Sequence, residues 1–237
     1  MCAKEGGIMR KDNLYTFFFA AMVCVVCGLL LSMASKGLQE RQEMNRKLDR
    51  QKNILKAFQV LPETAGREEI LKLYNTRVKS IRVDKEGEKI AENATPAKGL
   101  EVFQLLNDNG SADAYAIPVE GKGLWSTIKG FMALDKHVTA IVGLTFYEHG
   151  ETPGLGGEIE KESFTSQFKG KTIWSDNGDL ASVAVAKGPV ASSGLNPDHA
   201  VDGISGATLT GNGVSHFLKQ DLLKYLPFFN RIKGGQS

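Results

Sequence analysis

The residues best suited to chemistry lie together near the C-terminal end: Asp202-Gly203-Ile204-Ser205-Gly206-Ala207-Thr208-Leu209-Thr210. Three hydroxyls stand among small neighbours, and the run leads into residues 214–226, which are patterned as a helix ended by Pro227. A helix start carries backbone N–H groups without intrahelical acceptors, so it favours a phosphate. A threonine there is a candidate for holding one through its hydroxyl. The commoner role for such residues is plainer: Ser205 or Thr208 caps the helix, and Gly206 makes the turn.

Three other stretches could meet a ligand. Gly121-Lys122-Gly123-Leu124-Trp125-Ser126 reads as a hairpin loop with a core tryptophan, or as a loop bringing backbone and an indole face to a ligand. Glu151-Thr152-Pro153-Gly154-Leu155-Gly156-Gly157 could present backbone groups to the edge of a heterocycle, or simply join strand to helix. Its glycines give GxGG, not GxGxxG, which excludes a dinucleotide fingerprint. Lys187, before Gly188-Pro189, could face a phosphate, although a solvated loop lysine is commoner. His137, His149, His199 and His216 show no metal-ligand spacing, so no metal is assigned.

These loops need elements to position them. Residues 79–83, 101–106 and 112–119 read as strands, the last two around the turn Asn107-Asp108-Asn109-Gly110. Residues 137–148 form a long β-rich run, the best candidate for a central strand. Thr64 is a plausible cap for a helix through Ile70 and Tyr74, and residues 158–168 read as helical. Residues 171–174 and 180–186 read as short strands around Asp176-Asn177-Gly178, and residues 85–100 are polar and irregular. Strands and helices do not alternate strictly, so the fold class is α+β with a mixed sheet.

The N-terminal third is different. Residues 13–35 carry no charge and lie between Asp12 and Lys36. As a helix, that length spans about 30 Å, the thickness of a bilayer core. A cleaved signal peptide would have a shorter apolar region, so a retained anchor is expected. Lysine and arginine flank both sides, and the charge count does not choose an orientation. Residues 36–62 are highly charged and read as a helical stalk ended by Pro62. The expected organisation is a tail (1–12), a transmembrane helix (13–35), the stalk (36–62) and a ligand-binding domain (63–237).

Bulk composition narrows the function classes. The 29 Lys and Arg against 27 Asp and Glu leave a net charge of +2, scattered rather than striped, so no nucleic-acid partner is expected. The cysteines, Cys2, Cys24 and Cys27, all precede the globular part, which therefore has no disulfide, thiolate metal site or catalytic cysteine.

Asp202-Gly203-Ile204-Ser205-Gly206-Ala207-Thr208 resembles the flavinylation motif of the covalent FMN-binding domain family, D-x-x-(S/T)-G-A-(S/T). Over nearly its whole length the chain also resembles the C-type subunits of sodium-translocating NADH:quinone oxidoreductases, with the same anchor, stalk and domain. Gly211 departs from the serine expected there, beyond the attachment position. The resemblance implies FMN joined by a phosphodiester to Thr208, attached by a flavin transferase. It implies an isoalloxazine lying against Trp125 and the Glu151–Gly157 loop. The cofactor-binding set is then Trp125, Glu151, Thr152, Gly154, Leu155, Lys187, Asp202, Ser205, Gly206, Ala207, Leu209 and Thr210. It also implies an electron-relay role beside the other subunits of a bacterial inner-membrane complex, with the soluble domain on the periplasmic side. No side chain need act as general acid or base. The alternatives are the G-type subunit of an Rnf-type electron transport complex, which shares the plan, and a membrane-anchored binding or assembly protein without redox chemistry.

Overall fold

The computed structural model describes residues 11–90 and 99–235. Most of the expected N-terminal tail, and the middle of the polar stretch 85–100, lie outside the described residues. The chain divides into two units, Met1–Lys47 and Leu48–Ser237. Helix α1 (Lys11–Ala57) begins in the first and ends in the second.

The described part of the first unit is helical, and its apolar side chains are exposed, Phe18 at 77% and Leu31 at 71%. Such a surface is far too apolar for water. Its length and composition suffice to cross a membrane, and it is the one such helix among the described residues.

In the second unit the last turns of α1 are buried through Ile54, Leu55 and Ala57. The helix stops at Ala57, ahead of Pro62, by its own backbone: Gln59 takes φ 59°, Gln59 N–H donates to Lys56 O, and Val60 N–H donates to Leu55 O. These paired bonds satisfy carbonyls that a helix end leaves orphaned. Helix α2 (Arg67–Arg77) follows, its N-cap being Gly66 rather than Thr64, with no side-chain cap.

Five strands form one antiparallel meander in chain order: β1 (Val78–Val83), β2 (Leu100–Leu106), β3 (Ala112–Lys122), β4 (Thr127–Asp135) and β5 (Ile141–Glu148). The run expected to be central is thus an edge strand, and β3 takes the middle. The edge is partly closed: Gly170 N–H donates to Ile141 O and Ile141 N–H to Lys171 O. Strand β4 escapes sequence reading because its Gly-Phe-Met-Ala-Leu segment is buried on both faces and shows no alternation.

Both faces of the sheet are covered. Phe103, Ala114, Ala116, Phe131 and Ala133 pack with Ile54, Ala57 and Phe58. The small alanines leave room for α1, and Gly143 lets the Ala57 carbonyl approach, since a Cβ there would lie 2.5 Å from it. The other face meets helix α4 (Thr208–Lys233) through Tyr115, Ile117, Phe146, Val214, Phe217, Leu222 and Phe228. Each fully buried large side chain contributes about 1.5–3 kcal/mol. Helix α4 continues through Pro227, where sequence reading ended it. An interior proline costs roughly 3 kcal/mol, and the burial of Phe228 and Phe229 just beyond offsets that cost.

The stretch expected as one helix over 158–168 is three short pieces: a 3₁₀ turn (Gly156–Glu160), α3 (Glu162–Thr165) and a second 3₁₀ turn (Ser166–Phe168). The expected strands at 171–174 and 180–186 shrink to isolated bridges, Thr172 to Ala140 and Trp174 to Leu180, and to β6 (Ala184–Val185). Strand β6 pairs in parallel with β7 (Ala200–Val201). The fold is α+β, with antiparallel and parallel pairing in separate sheets.

Candidate functional site

Thr208 is the first residue of α4, and its side chain is exposed. Neither Ser205 nor Thr208 caps the helix: the N-cap is Ala207, without a side-chain bond. The first backbone bond into the helix runs from Gly211 N–H to Ala207 O, 2.9 Å. The earlier N–H groups of the turn stay available for an anion, and the helix dipole favours one there.

The preceding turn is set by Gly206, at φ +74°. A Cβ on Gly206 would lie 2.7 Å from Leu155 Cδ2, so the glycine also seats Leu155. Asp202 braces the motif from behind. Its Oδ1 accepts from Val190 N–H at 2.7 Å, and its own N–H donates to Gln167 Oε1 at 2.9 Å. Gly203 N–H donates to Gly188 O, and a Cβ on Gly203 would lie 2.1 Å from Ala186 O. The backbone around Lys187 therefore lies against the motif, with the lysine side chain exposed.

Glu151 joins the remaining pieces. It is only 5% exposed and directly follows the loop out of β5. Its Oε1 accepts from Trp125 N–H at 3.0 Å, Ser126 N–H at 3.1 Å and the Ser126 hydroxyl at 3.4 Å. Its Oε2 accepts from Leu124 N–H at 3.2 Å and the Thr210 hydroxyl at 2.7 Å. One carboxylate thus ties the β3–β4 hairpin tip, the loop after β5 and the first turn of α4. Burial pushes its pKa up. Hydrogen bonds from Trp125, Thr210, Ser126 and Leu124 outweigh burial and hold it below the usual carboxylate value. Glycines make the clamp possible: a Cβ on Gly123 would lie 2.7 Å from Glu151 Oε1, and one on Gly156 would lie 2.6 Å from Thr210 Oγ1.

The clamp leaves apolar side chains facing out. Trp125 is 71% exposed and Leu209 61%, with Leu155 and Leu124 also exposed. Trp125 is therefore a hairpin-tip residue and not a core tryptophan. Thr152 and Gly154 complete the exposed loop: Thr152 O accepts from the N–H groups of Leu155 and Gly157, and Gly154 has φ +78°. The fold brings Leu155 to Gly206 and, through Glu151, the backbone of Trp125 to Thr210, on either side of Thr208 along the chain, while Asp202 and the backbone around Lys187 brace the motif.

Sequence reasoning missed Ser126 and Gln167. Ser126 Oγ accepts from Gly150 N–H at 2.6 Å, locking the hairpin tip to the β5 loop. Neither residue carries a local signal, because each acts on a segment distant in sequence. A cleft of about 450 Å³ beside α4 is lined by Asn212, Ser215, His216, Lys219, Ser182 and His199. It includes none of the residues expected at the site.

The residues around Thr208 suit a flavin phosphate in kind: an accessible hydroxyl at a helix start, glycines permitting close backbone approach, and exposed apolar faces for a planar ring. A family model described as an FMN-binding domain matches residues 123–222, which span the Trp125 loop, Glu151 and the Thr208 turn. The chain is 32% identical to the C subunit of the Na(+)-translocating NADH-quinone reductase of Yersinia pestis, covering 93% of both chains. The crystal structure of the C subunit of the same reductase from Parabacteroides distasonis superposes with a TM-score of 0.70 at 33% identity, covering 81% of this chain and 96% of that one. Shewanella oneidensis NqrC superposes at 0.69 with 28% identity, covering 80% of this chain and 99% of that one.

Proposed function

This chain belongs to the family of C subunits of the Na(+)-translocating NADH-quinone reductase, and from that premise we propose that it is the electron relay of such a complex, carrying FMN in phosphodiester linkage to Thr208. The observation that carries the attachment site is the placement of Thr208. It is an exposed hydroxyl on the first residue of α4, two residues after a left-handed Gly206 that seats Leu155 and two before Thr210, which Glu151 ties to the backbone of Trp125.

Bound FMN supplies reversible electron transfer. This chain's residues supply the mounting. The free N–H groups of the first turn of α4 receive the phosphodiester charge, and Lys187 adds a cation from the braced loop. Trp125 and Leu155 give the ring an apolar bed, with the Glu151–Gly157 backbone along its edge. Gly206 and Ala207 leave an open approach for a flavin transferase to reach the threonine. NADH oxidation and sodium translocation fall to other subunits.

Residues 13–35 anchor the chain in the bacterial inner membrane as a single span, and residues 1–12 form the tail. Residues 36–62 form the stalk, its last turns seated on the sheet through Ile54, Ala57 and Phe58, and residues 63–237 complete the FMN-binding domain on the periplasmic side.

The test is expression of the full chain with and without a flavin transferase. Denatured protein keeps yellow fluorescence on a gel only with the transferase, and Thr208→Ala abolishes it entirely. Because Thr208 is exposed and caps nothing, that variant melts within about 0.5 kcal/mol of the parent. Fluorescence that survives Thr208→Ala would remove Thr208 as the attachment point. Mass spectrometry of the peptide over residues 202–219 locates the added mass.

A further inference from the structure

We infer that Glu151 is a positioning residue that also lowers the flavin's midpoint potential, through a buried negative charge fixed beneath the two loops that hold the ring. This rests on the flavin site proposed above. A carboxylate 5% exposed normally has a cationic partner, because removing a charge from water is costly. Among the described residues Glu151 makes no ion pair. Its charge is held by neutral donors alone: three backbone N–H groups and two hydroxyls.

A fold needing only a latch could use a neutral side chain. This one keeps a full negative charge inside the cofactor's mounting. The charge sits against the backbone of Trp125, at the foot of the loop carrying Leu155, and on the hydroxyl two residues beyond Thr208. A ring held by Trp125 and Leu155 would stand near that anion. Reduction adds negative charge to the ring, and an uncompensated anion in a low-dielectric surrounding opposes it. The flavin thereby becomes a stronger electron donor. The same hydrogen bonds fix where Trp125 stands relative to Thr208.

Three variants of the full chain, matured with the transferase, separate charge from packing. Glu151→Gln keeps the size and removes the charge. Glu151→Asp keeps the charge and strains the bonds. Thr210→Val removes one donor and leaves the charge. Covalent flavin is read on a denaturing gel, and the midpoint potential by spectroelectrochemical titration. The expected result is a shift to more positive potential in Glu151→Gln, with Glu151→Asp and Thr210→Val near the parent despite lower melting temperatures. An unmoved potential in Glu151→Gln overturns the inference. So does a positive shift of equal size in Glu151→Asp or Thr210→Val, which assigns the effect to loosened packing. Should Glu151→Gln not fold, Glu151→Asp still decides, because a positive shift with the charge retained refutes the idea. A parent chain without covalent flavin would instead strike at the proposed function itself.

Discussion

The five-stranded sheet and the loops above it solve opposite problems. The sheet is closed on both faces by helices and held by many interchangeable contacts, such as Phe131 edge-on to Phe103 and stacked on Tyr147. The loops bury little and expose Trp125, Leu155 and Leu209, and one carboxylate ties their three segments together. Stability is spread through the first region and concentrated at a point in the second. A scaffold can lose a contact and lose stability in proportion. A site built on Glu151 can lose its geometry while the scaffold stands.

The largest effect on stability is expected in the sheet. Phe131→Ala removes a fully buried ring and should cost about 3–5 kcal/mol. Chemical unfolding should show it as a lower midpoint for the whole domain. A loss confined to the site loops would break the division between the regions.

Gly206→Ala comes next. A side chain at φ +74° that meets Leu155 should cost about 1–2 kcal/mol. It should also lower the covalent flavin yield at fixed transferase, whereas Phe131→Ala lowers yield only as far as it unfolds the domain. Equal yields from Gly206→Ala and the parent would show that the turn is not part of the seat.

A smaller effect appears in acid. The folded pKa of Glu151 is lowered, so its contribution is complete above the unfolded value of about 4.3. That contribution is lost as pH falls through the folded value. The stability gap between the parent and Glu151→Gln should hold at neutral pH and narrow below about pH 4. Urea midpoints measured across that range check it, and a gap that widens in acid reverses the sign.

The smallest expected effect on stability is at Trp125. With its ring 71% exposed, Trp125→Ala should change unfolding by about 0.5 kcal/mol or less, yet shift the flavin absorbance. Unaltered spectra in both Trp125→Ala and Leu155→Ala would remove these two side chains from the ring's bed.

The two regions also differed in how far the sequence disclosed them. Alternation and turn residues placed β1, β2 and β3 well, because one local pattern specifies one local structure. It failed at β4, buried on both faces, and at β5, where a strongly β-rich run proved to be an edge; neighbour order is not written in a strand's own residues. Pro227 reads as a stop because its local cost is visible in sequence, while the burial of Phe228 and Phe229 that offsets it is not. At the site, Thr208 and its glycines stood out as a compact motif, and the structure sets Thr208 on the first turn of α4. Trp125 read more readily as core. Its exposure follows from Glu151 taking the backbone N–H of Trp125, a partner 26 residues away.

The bond between Thr210 and Glu151 closes a loop of 59 residues, which has a consequence in time. Contacts of long sequence separation form only after the intervening chain has been organised. The hairpin tip and the β5 loop meet once β4 and β5 have paired, and the start of α4 joins them only when the intervening turns, α3, β6 and β7 are in place. Until that closure the attachment motif stands without a finished cradle. Flavin added to an unfinished chain would hang from a tether, and flavin added after closure would enter a finished berth. Pulse labelling of flavin during refolding would show which order the molecule follows.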